Sequence, residues 1–214
     1  MSYDFLYKII VLGAAYNGKT SIIDRIVRDN FHNKYQNTIG IDFSSTIRKI
    51  DEINKKIKFH IWDTAGGKEW MSVVDVYYKN VAVPIIVMDC TNRDSFSDAS
   101  EWLRLWNLKK SYKCSNTPPI IITTKIDLSN KRVYNEETGK EFANENGCKY
   151  FEVSALTGAN TKYLLEKIAI HIWQENGCTP STGIESNLYL DLREEEKKFR
   201  NGNYSSYFNC CTQQ

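Results

Sequence analysis

A chain of 214 residues that is 42% hydrophobic and 25% charged has the make-up of a globular protein with enough length for a full core, and it favours one domain with room for a tail. Its 28 basic and 26 acidic residues are scattered to a net charge of +2, so no basic run marks a nucleic-acid surface and no nucleic acid is expected among the partners. The opening MSYDFLYKIIVLG has no secretory pattern, no stretch holds 18 uninterrupted apolar residues, and six cysteines at 90, 114, 148, 178, 210 and 211 follow neither a metal-ligand rhythm nor a disulfide scaffold, which predicts a cytosolic-side protein with reduced thiols.

Short apolar or β-branched runs alternate with longer amphipathic stretches, the pattern of βαβ units and an α/β fold with a mainly parallel sheet. In chain order the pattern predicts a strand over Tyr7 to Leu12, a helix over Lys19 to Arg28, and strands over Asp42 to Ile50 and Ile57 to Asp63. The link Asp51 to Lys56 is too short for a crossover helix, so these last two strands are expected to form an antiparallel hairpin. A strand over Pro84 to Asp89, a helix over Ser95 to Lys110, a strand over Pro119 to Thr124, a helix over Asn135 to Asn146 and a strand over Tyr150 to Val153 follow. The last predicted helix runs from Asn160 to Gln174, with Leu164, Ile168 and Ile172 making one buried stripe behind an Asn or Thr cap. After Gly177 the composition turns to Ser, Asn, Gly, Thr and charge, which predicts a domain over residues 1–176 and a mobile tail over 177–214.

Gly13-Ala14-Ala15-Tyr16-Asn17-Gly18-Lys19-Thr20 fits G-x-x-x-x-G-K-[ST] between a strand and a helix. The letters alone arise by chance in about one chain of this length in a hundred. Such a loop wraps backbone N–H groups round phosphates, with Lys19 reaching the β and γ groups and the Thr20 hydroxyl on Mg²⁺. Asp63-Thr64-Ala65-Gly66 ends another strand, where an Asp can hold a Mg²⁺ water and a Gly N–H can approach the γ phosphate. Thr38, in the polar stretch Tyr35 to Gly40, offers a loop hydroxyl that can close over the metal; an exposed loop Thr is the plain alternative.

Thr124-Lys125-Ile126-Asp127 and Ser154-Ala155-Leu156 each follow a strand. An Asp carboxylate accepts both N1–H and the 2-amino group of guanine, whereas adenine offers no such donor pair. With five motifs in order over Leu6 to about Gln174, the chain resembles small GTPases of the Ras superfamily. The Rab branch is suggested by Thr38-Ile39-Gly40-Ile41-Asp42-Phe43, by Trp62 before the Asp-Thr-Ala-Gly motif, by Tyr77-Tyr78-Lys79 and by paired Cys210-Cys211.

The resemblance implies a P-loop NTPase fold, the small G domain, with a mixed six-stranded sheet and helices on both faces. It implies GTP or GDP with Mg²⁺ as ligand, touched by Gly13, Ala15, Tyr16, Asn17, Gly18, Lys19, Thr20, Ser21, Thr38, Gly66, Thr124, Lys125, Asp127, Ser154, Ala155 and Leu156, with Thr20, Thr38 and Asp63 at the metal. It implies an effector face of Ile39, Gly40, Ile41, Phe43, Trp62 and Tyr77, although plain core packing serves the three aromatics equally well. Two switch segments, about Phe31 to Asp42 and Ala65 to Lys79, would be ordered by GTP and released on hydrolysis. The implied partners are an exchange factor, an activator of hydrolysis, effectors and a solubilising escort of the dissociation-inhibitor kind. The implied place is the cytosolic face of intracellular membranes, with a cytosolic pool.

Several positions depart from that family's pattern. Gly67 stands where a water-orienting Gln is usual, which leaves a degenerate catalytic position beside Lys19 and predicts slow intrinsic hydrolysis, or a nucleotide-dependent binding module with negligible turnover. Lys68-Glu69 replaces Glu-Arg, Trp70 replaces Phe or Tyr, and the phosphate loop carries Tyr16 and Asn17 where small or apolar residues are common. Tyr16 is expected to face solvent rather than lean over the nucleotide. Thr124 replaces an Asn without loss of guanine selectivity, and Leu156 replaces a Lys, weakening contacts round the base. An ATP-using P-loop enzyme fits Gly13 to Thr20 but leaves Asp127 and Ser154 without a purpose.

The tail from Gly177 sets Arg193, Lys197, Lys198 and Arg200 against Glu185, Asp191, Glu194, Glu195 and Glu196, so it offers no polybasic patch for anionic lipid. Two adjacent prenylated thiols at Cys210 and Cys211 would meet the two-signal need for stable membrane anchoring. The competing reading is a C-a-a-X box at Cys211-Thr212-Gln213-Gln214, weakened by its polar middle residues, and two free thiols are the bland one. Leu190-Asp191-Leu192 resembles a docking segment for escort proteins.

Overall fold

The computed structural model describes residues 2–33, 38–67, 77–109 and 116–176. Expectations on Tyr35, Lys68, Glu69, Trp70, the tail, Cys210 and Cys211 lie outside these residues, as does most of the second switch segment.

Six strands form one sheet: β1 (Phe5–Leu12), β2 (Ile41–Ile50), β3 (Lys55–Thr64), β4 (Val83–Asp89), β5 (Ile120–Thr124) and β6 (Lys149–Glu152). Their spatial order is β2-β3-β1-β4-β5-β6. All neighbours are parallel except β2 and β3, which pair antiparallel from Ile41 opposite Thr64 to Ile50 opposite Lys55. The hairpin expected from the short link is thus present, closed by a 3₁₀ turn over Asp51–Ile53 and left-handed Asn54. β5 begins at Ile120 rather than Pro119, which has no N–H to give the ladder. Pro119 still uses its carbonyl, which accepts from Lys149 N at 3.0 Å.

Four helices are described, α1 (Lys19–Arg28), α2 (Ser95–Lys109), α3 (Glu136–Glu145) and α4 (Leu164–Glu175). Asn135 caps α3 by accepting from Thr138 N at 2.8 Å. The expected start of α4 at Asn160 is corrected: the helix begins four residues later, behind Tyr163, without a side-chain cap. Asn160 is left-handed at φ 60, and its amide donates to Glu152 O, while the Thr161 hydroxyl donates back to Gly158 O. These bonds close a turn, and the helix cannot start until the chain has left it.

Alternation along the strands divides the core. Ile9 and Val11, Ile57 to Ile61 on every second residue, Val83, Ile85, Val87, Ile120 and Ile122 face Ile22 and Ile23 of α1 and Leu164, Leu165, Ile168 and Ile172 of α4. The intervening buried residues Ile10, Leu12, Ile86, Met88 and Ile121 point to the other side. There α2, which lies against β4, buries Ala99, Trp102, Leu103 and Trp106. The chain leaves β1 towards β2 on one side and leaves β4 towards β5 on the other, so a crevice opens at the carboxyl ends of β1 and β4.

Candidate functional site

The loop after β1 enters this crevice. A Cβ on Gly13 would come within 2.6 Å of Val87 O, so only glycine lets the chain pass β4 so closely. Gly18, at φ 84, is the N-cap of α1 and turns the next N–H groups inward. Tyr16 also holds a left-handed φ of 67 without being glycine, a strained conformation at a phosphate-type loop. Its side chain is 62% exposed, as expected for a residue facing solvent. Asn17 is buried: its Nδ2 donates to Val87 O at 2.8 Å, and its carbonyl accepts from Thr124 Oγ1 at 2.6 Å. These two bonds join the loop to β4 and β5.

Lys19 lies within the loop, with Nζ donating to Gly13 O at 2.9 Å and Ala14 O at 2.8 Å. Burial pushes its pKa down to about 8, and the nearby Asp63 carboxylate opposes that shift. Three predicted metal residues converge: Thr20 Oγ1 donates to Asp63 Oδ2 at 2.5 Å, the hydroxyls of Thr20 and Thr38 are 2.8 Å apart, and Thr38 Oγ1 lies 3.4 Å from Asp63 Oδ2. Asp63 Oδ1 is buried without a hydrogen-bond partner. Burial pushes the Asp63 carboxyl up to about 6, against the Thr20 hydrogen bond and Lys19.

An orphaned carboxylate oxygen beside two hydroxyls is a set of hard oxygen donors, and it fits Mg²⁺. Among the described residues no three of His, Cys, Asp and Glu converge.

Gly66 presses on the same loop, for a Cβ there would lie 2.2 Å from Ala15 N and 2.5 Å from Ala14 C. Gly67 follows, half-buried on the cleft wall. The segment before β2 is tied in by Ala65 N donating to Gly40 O at 2.9 Å.

At the far end, Thr124 Oγ1 also donates to Met88 O at 3.0 Å. Lys125 turns left-handed at φ 62 and places Nζ 2.5 Å from Asp89 Oδ2. Ser154 Oγ donates to Asp127 Oδ1 at 2.5 Å, which orients the carboxylate that sequence reasoning assigned to guanine. Ala155 is buried and Leu156 is 49% exposed.

One cleft of about 1050 Å³ connects the two ends, lined by Lys19, Thr20, Ser21, Thr38, Gly66, Thr124, Asp127, Ala155 and Leu156 among others. This is ample for a nucleoside triphosphate, since small-molecule sites run to about 1,000 Å³. Asp24 and Leu128 also line it and were not singled out from the sequence, and so do Phe31, His32 and Asn33, which the sequence placed in the first switch segment but not at the nucleotide. A half-buried Phe31 packed on the apolar core carries no local motif by which it can be found.

The aromatic residues also meet. Phe43 and Trp62 have ring centroids 5.0 Å apart, and Trp62 and Tyr77 5.1 Å. Trp62 and Tyr77 are buried and Phe43 is half-buried, so their contacts serve packing, whereas Ile39 is 86% exposed. Gly40 is buried and Ile41, half-buried, opens β2.

The model of the Ras family matches residues 8–174. The chain is 32% identical to Ras-related protein Rab-13 of Mesocricetus auratus over 200 residues, covering 94% of this chain and 96% of that relative. It is 34% identical to Ras-related protein Rab-1 of Theileria parva over 218 residues, covering 95% and 97%. With Ras-related protein Rab-3 of Caenorhabditis elegans it shares 30% identity over 167 residues, 78% of this chain and 74% of the relative.

Proposed function

Because the chain belongs to the Ras family of small GTPases, in its Rab branch, we propose that it is a GTP/GDP-regulated switch of intracellular vesicle traffic that hydrolyses GTP slowly unless an activating protein assists. The observation that carries this is one cleft with the Thr20, Thr38 and Asp63 oxygens at one end and the Ser154-oriented Asp127 carboxylate at the other.

Asp127 accepts from N1–H and the 2-amino group of guanine, and the Ser154 hydroxyl fixes the direction of that carboxylate. Lys19 exchanges its loop carbonyls for phosphate oxygens, and the N–H groups of the first turn of α1, after Gly18, face the same charge. Thr20, Thr38 and Asp63 hold Mg²⁺, which when bound offsets phosphate charge. Gly67 has no side chain with which to orient water, so most of that task falls to an activating protein. The same feature favours the second reading, a nucleotide-dependent binding module with negligible turnover of its own.

Residues 1–176 form the G domain in this reading, and 177–214 a tail that carries prenyl groups on Cys210 and Cys211. No described helix is long and apolar enough to cross a membrane. Exposed Ile39 and half-buried Ile41 and Phe43 are offered to effectors, with buried Gly40, Trp62 and Tyr77 shaping that face from beneath. An exchange factor, an activating protein and an escort complete the cycle between cytosol and membrane.

The test is thermal unfolding with Mg²⁺ and each nucleotide. GDP and GTP should raise the melting temperature by mass action and ATP at equal concentration should not. Equal stabilisation by ATP defeats the assignment.

A further inference from the structure

Arg25 lies on α1, six residues after Lys19, yet its guanidinium spends two donors on a loop 130 residues away. Nε donates to Ala155 O at 2.7 Å and Nη2 to Leu156 O at 3.2 Å. The third arm, Nη1, meets Asp29 O at 3.1 Å and Asp29 Oδ1 at 3.0 Å.

The two sets of contacts differ in weight. The Asp29 side chain is 92% exposed, so its ion pair with Arg25 is screened and worth little. The end of α1 is also closed without it, since the Asp29 N–H already bonds to Arg25 O and Asp24 O. The Arg25 side chain is itself only 17% exposed, which leaves the two loop carbonyls as the contacts that hold it in place. Those carbonyls belong to the loop that begins with Ser154. Inside the loop, Thr157 N donates to Ser154 Oγ at 3.1 Å and Gly158 N to Ser154 O at 2.9 Å, and just before it Val153 N donates to Thr123 O at 2.9 Å, so the loop is closed on itself and joined to β5, while Arg25 ties it to α1. The Ala155 methyl and the half-exposed Leu156 side chain supply no polar tether of their own.

We propose that Arg25 is a positioning residue for base recognition: it holds the Ser154 loop against α1, so that the Ser154 hydroxyl stays aimed at Asp127. This rests on the reading of the cleft as a guanine-nucleotide site. The same helix begins with Lys19 and Thr20, so Arg25 makes the phosphate end and the base end one mechanical unit. A planar guanidinium can serve two adjacent carbonyls at once, and a lysine ammonium cannot reproduce that fork.

The experiment measures release of a fluorescent GDP, and competition by GDP against inosine diphosphate, which lacks the 2-amino group. It uses the full-length protein and the variants Arg25→Met, Arg25→Lys and Asp29→Ala. Arg25→Met should release GDP on the order of ten-fold faster, and its preference for GDP over inosine diphosphate should shrink, because the loss falls on the base contacts. Arg25→Lys should fall between Arg25→Met and the parent, and Asp29→Ala should match the parent.

Release by Arg25→Met at the parent's rate overturns the proposal. So does faster release with an unchanged GDP to inosine diphosphate ratio, the mark of a merely structural role. If Arg25→Met does not fold, Arg25→Lys decides alone: parental rate and ratio overturn the proposal, and a faster rate with a smaller ratio supports it. A parent protein that binds no guanine nucleotide defeats the reading of the cleft instead, and is seen before any variant is made.

Discussion

Replacing Asn17 with valine removes one hydrogen bond whose cost can be worked from the sheet. β1 stops pairing with β4 at Leu12 opposite Ile86, while β4 continues to Asp89. Val87 therefore turns its N–H and C=O towards a region with no strand, and the Asn17 amide fills the gap at 2.8 Å. In Asn17→Val the Val87 carbonyl stays buried with that donor gone, at a cost of about 1–3 kcal/mol. Two buried methyl groups return about 1 kcal/mol, which leaves a net loss of up to about 2 kcal/mol. For a chain of this size each kcal/mol moves the midpoint by about 2–4 °C, so unfolding in excess GDP and Mg²⁺ should fall by up to about 8 °C. Calorimetry or circular dichroism reads this directly. A higher midpoint would refute the reasoning, and would mean that an apolar side chain at this position serves the loop better than the amide does.

Single-turnover hydrolysis by Gly67→Gln should exceed that of the parent, since water positioning is what the glycine lacks; no acceleration would show that another group already supplies it. Asp127→Asn should weaken GTP and favour xanthine nucleotides in competition assays, because an amide donor meets the guanine N1–H, whereas Lys19→Ala should weaken binding without altering base choice. Burial pushes the Cys90 and Cys148 thiols up to about 11 and about 12, so iodoacetamide at neutral pH should label them only after unfolding. The sign for stability follows: the contribution is whole below about pH 9, where unfolded thiols begin to ionise, and declines as pH rises towards those folded values. Intact mass from a eukaryotic host should show two geranylgeranyl groups; one farnesyl group would support the C-a-a-X reading, and an unmodified soluble protein would sink both.

The features legible in the sequence were local ones. A strand, a glycine-punctuated turn and a helix N-terminus occupy 24 consecutive residues from Phe5 to Arg28, so the phosphate loop declares itself by spacing alone. The hairpin was equally plain, because a link from Asp51 to Asn54 leaves no alternative geometry. What escaped depends on chain segments far apart. Asn17 reads as an oddity until Val87, 70 residues later, is seen to need a donor. Asp89 reads as an ordinary strand end until it meets Lys125, and Phe31 has no sequence partner at all. The start of α4 was misjudged for the opposite reason: Asn160 and Thr161 are good caps, but both spend their side chains on the preceding turn.

The glycine that closes Asp63-Thr64-Ala65-Gly66 couples two segments that lie far apart in the chain. At Gly66 any side chain strikes the backbone of Ala14 and Ala15, so substitution there must displace the phosphate loop itself. A change of one residue after β3 is therefore felt as a change of shape after β1, and neither loop is free to be remodelled without the other.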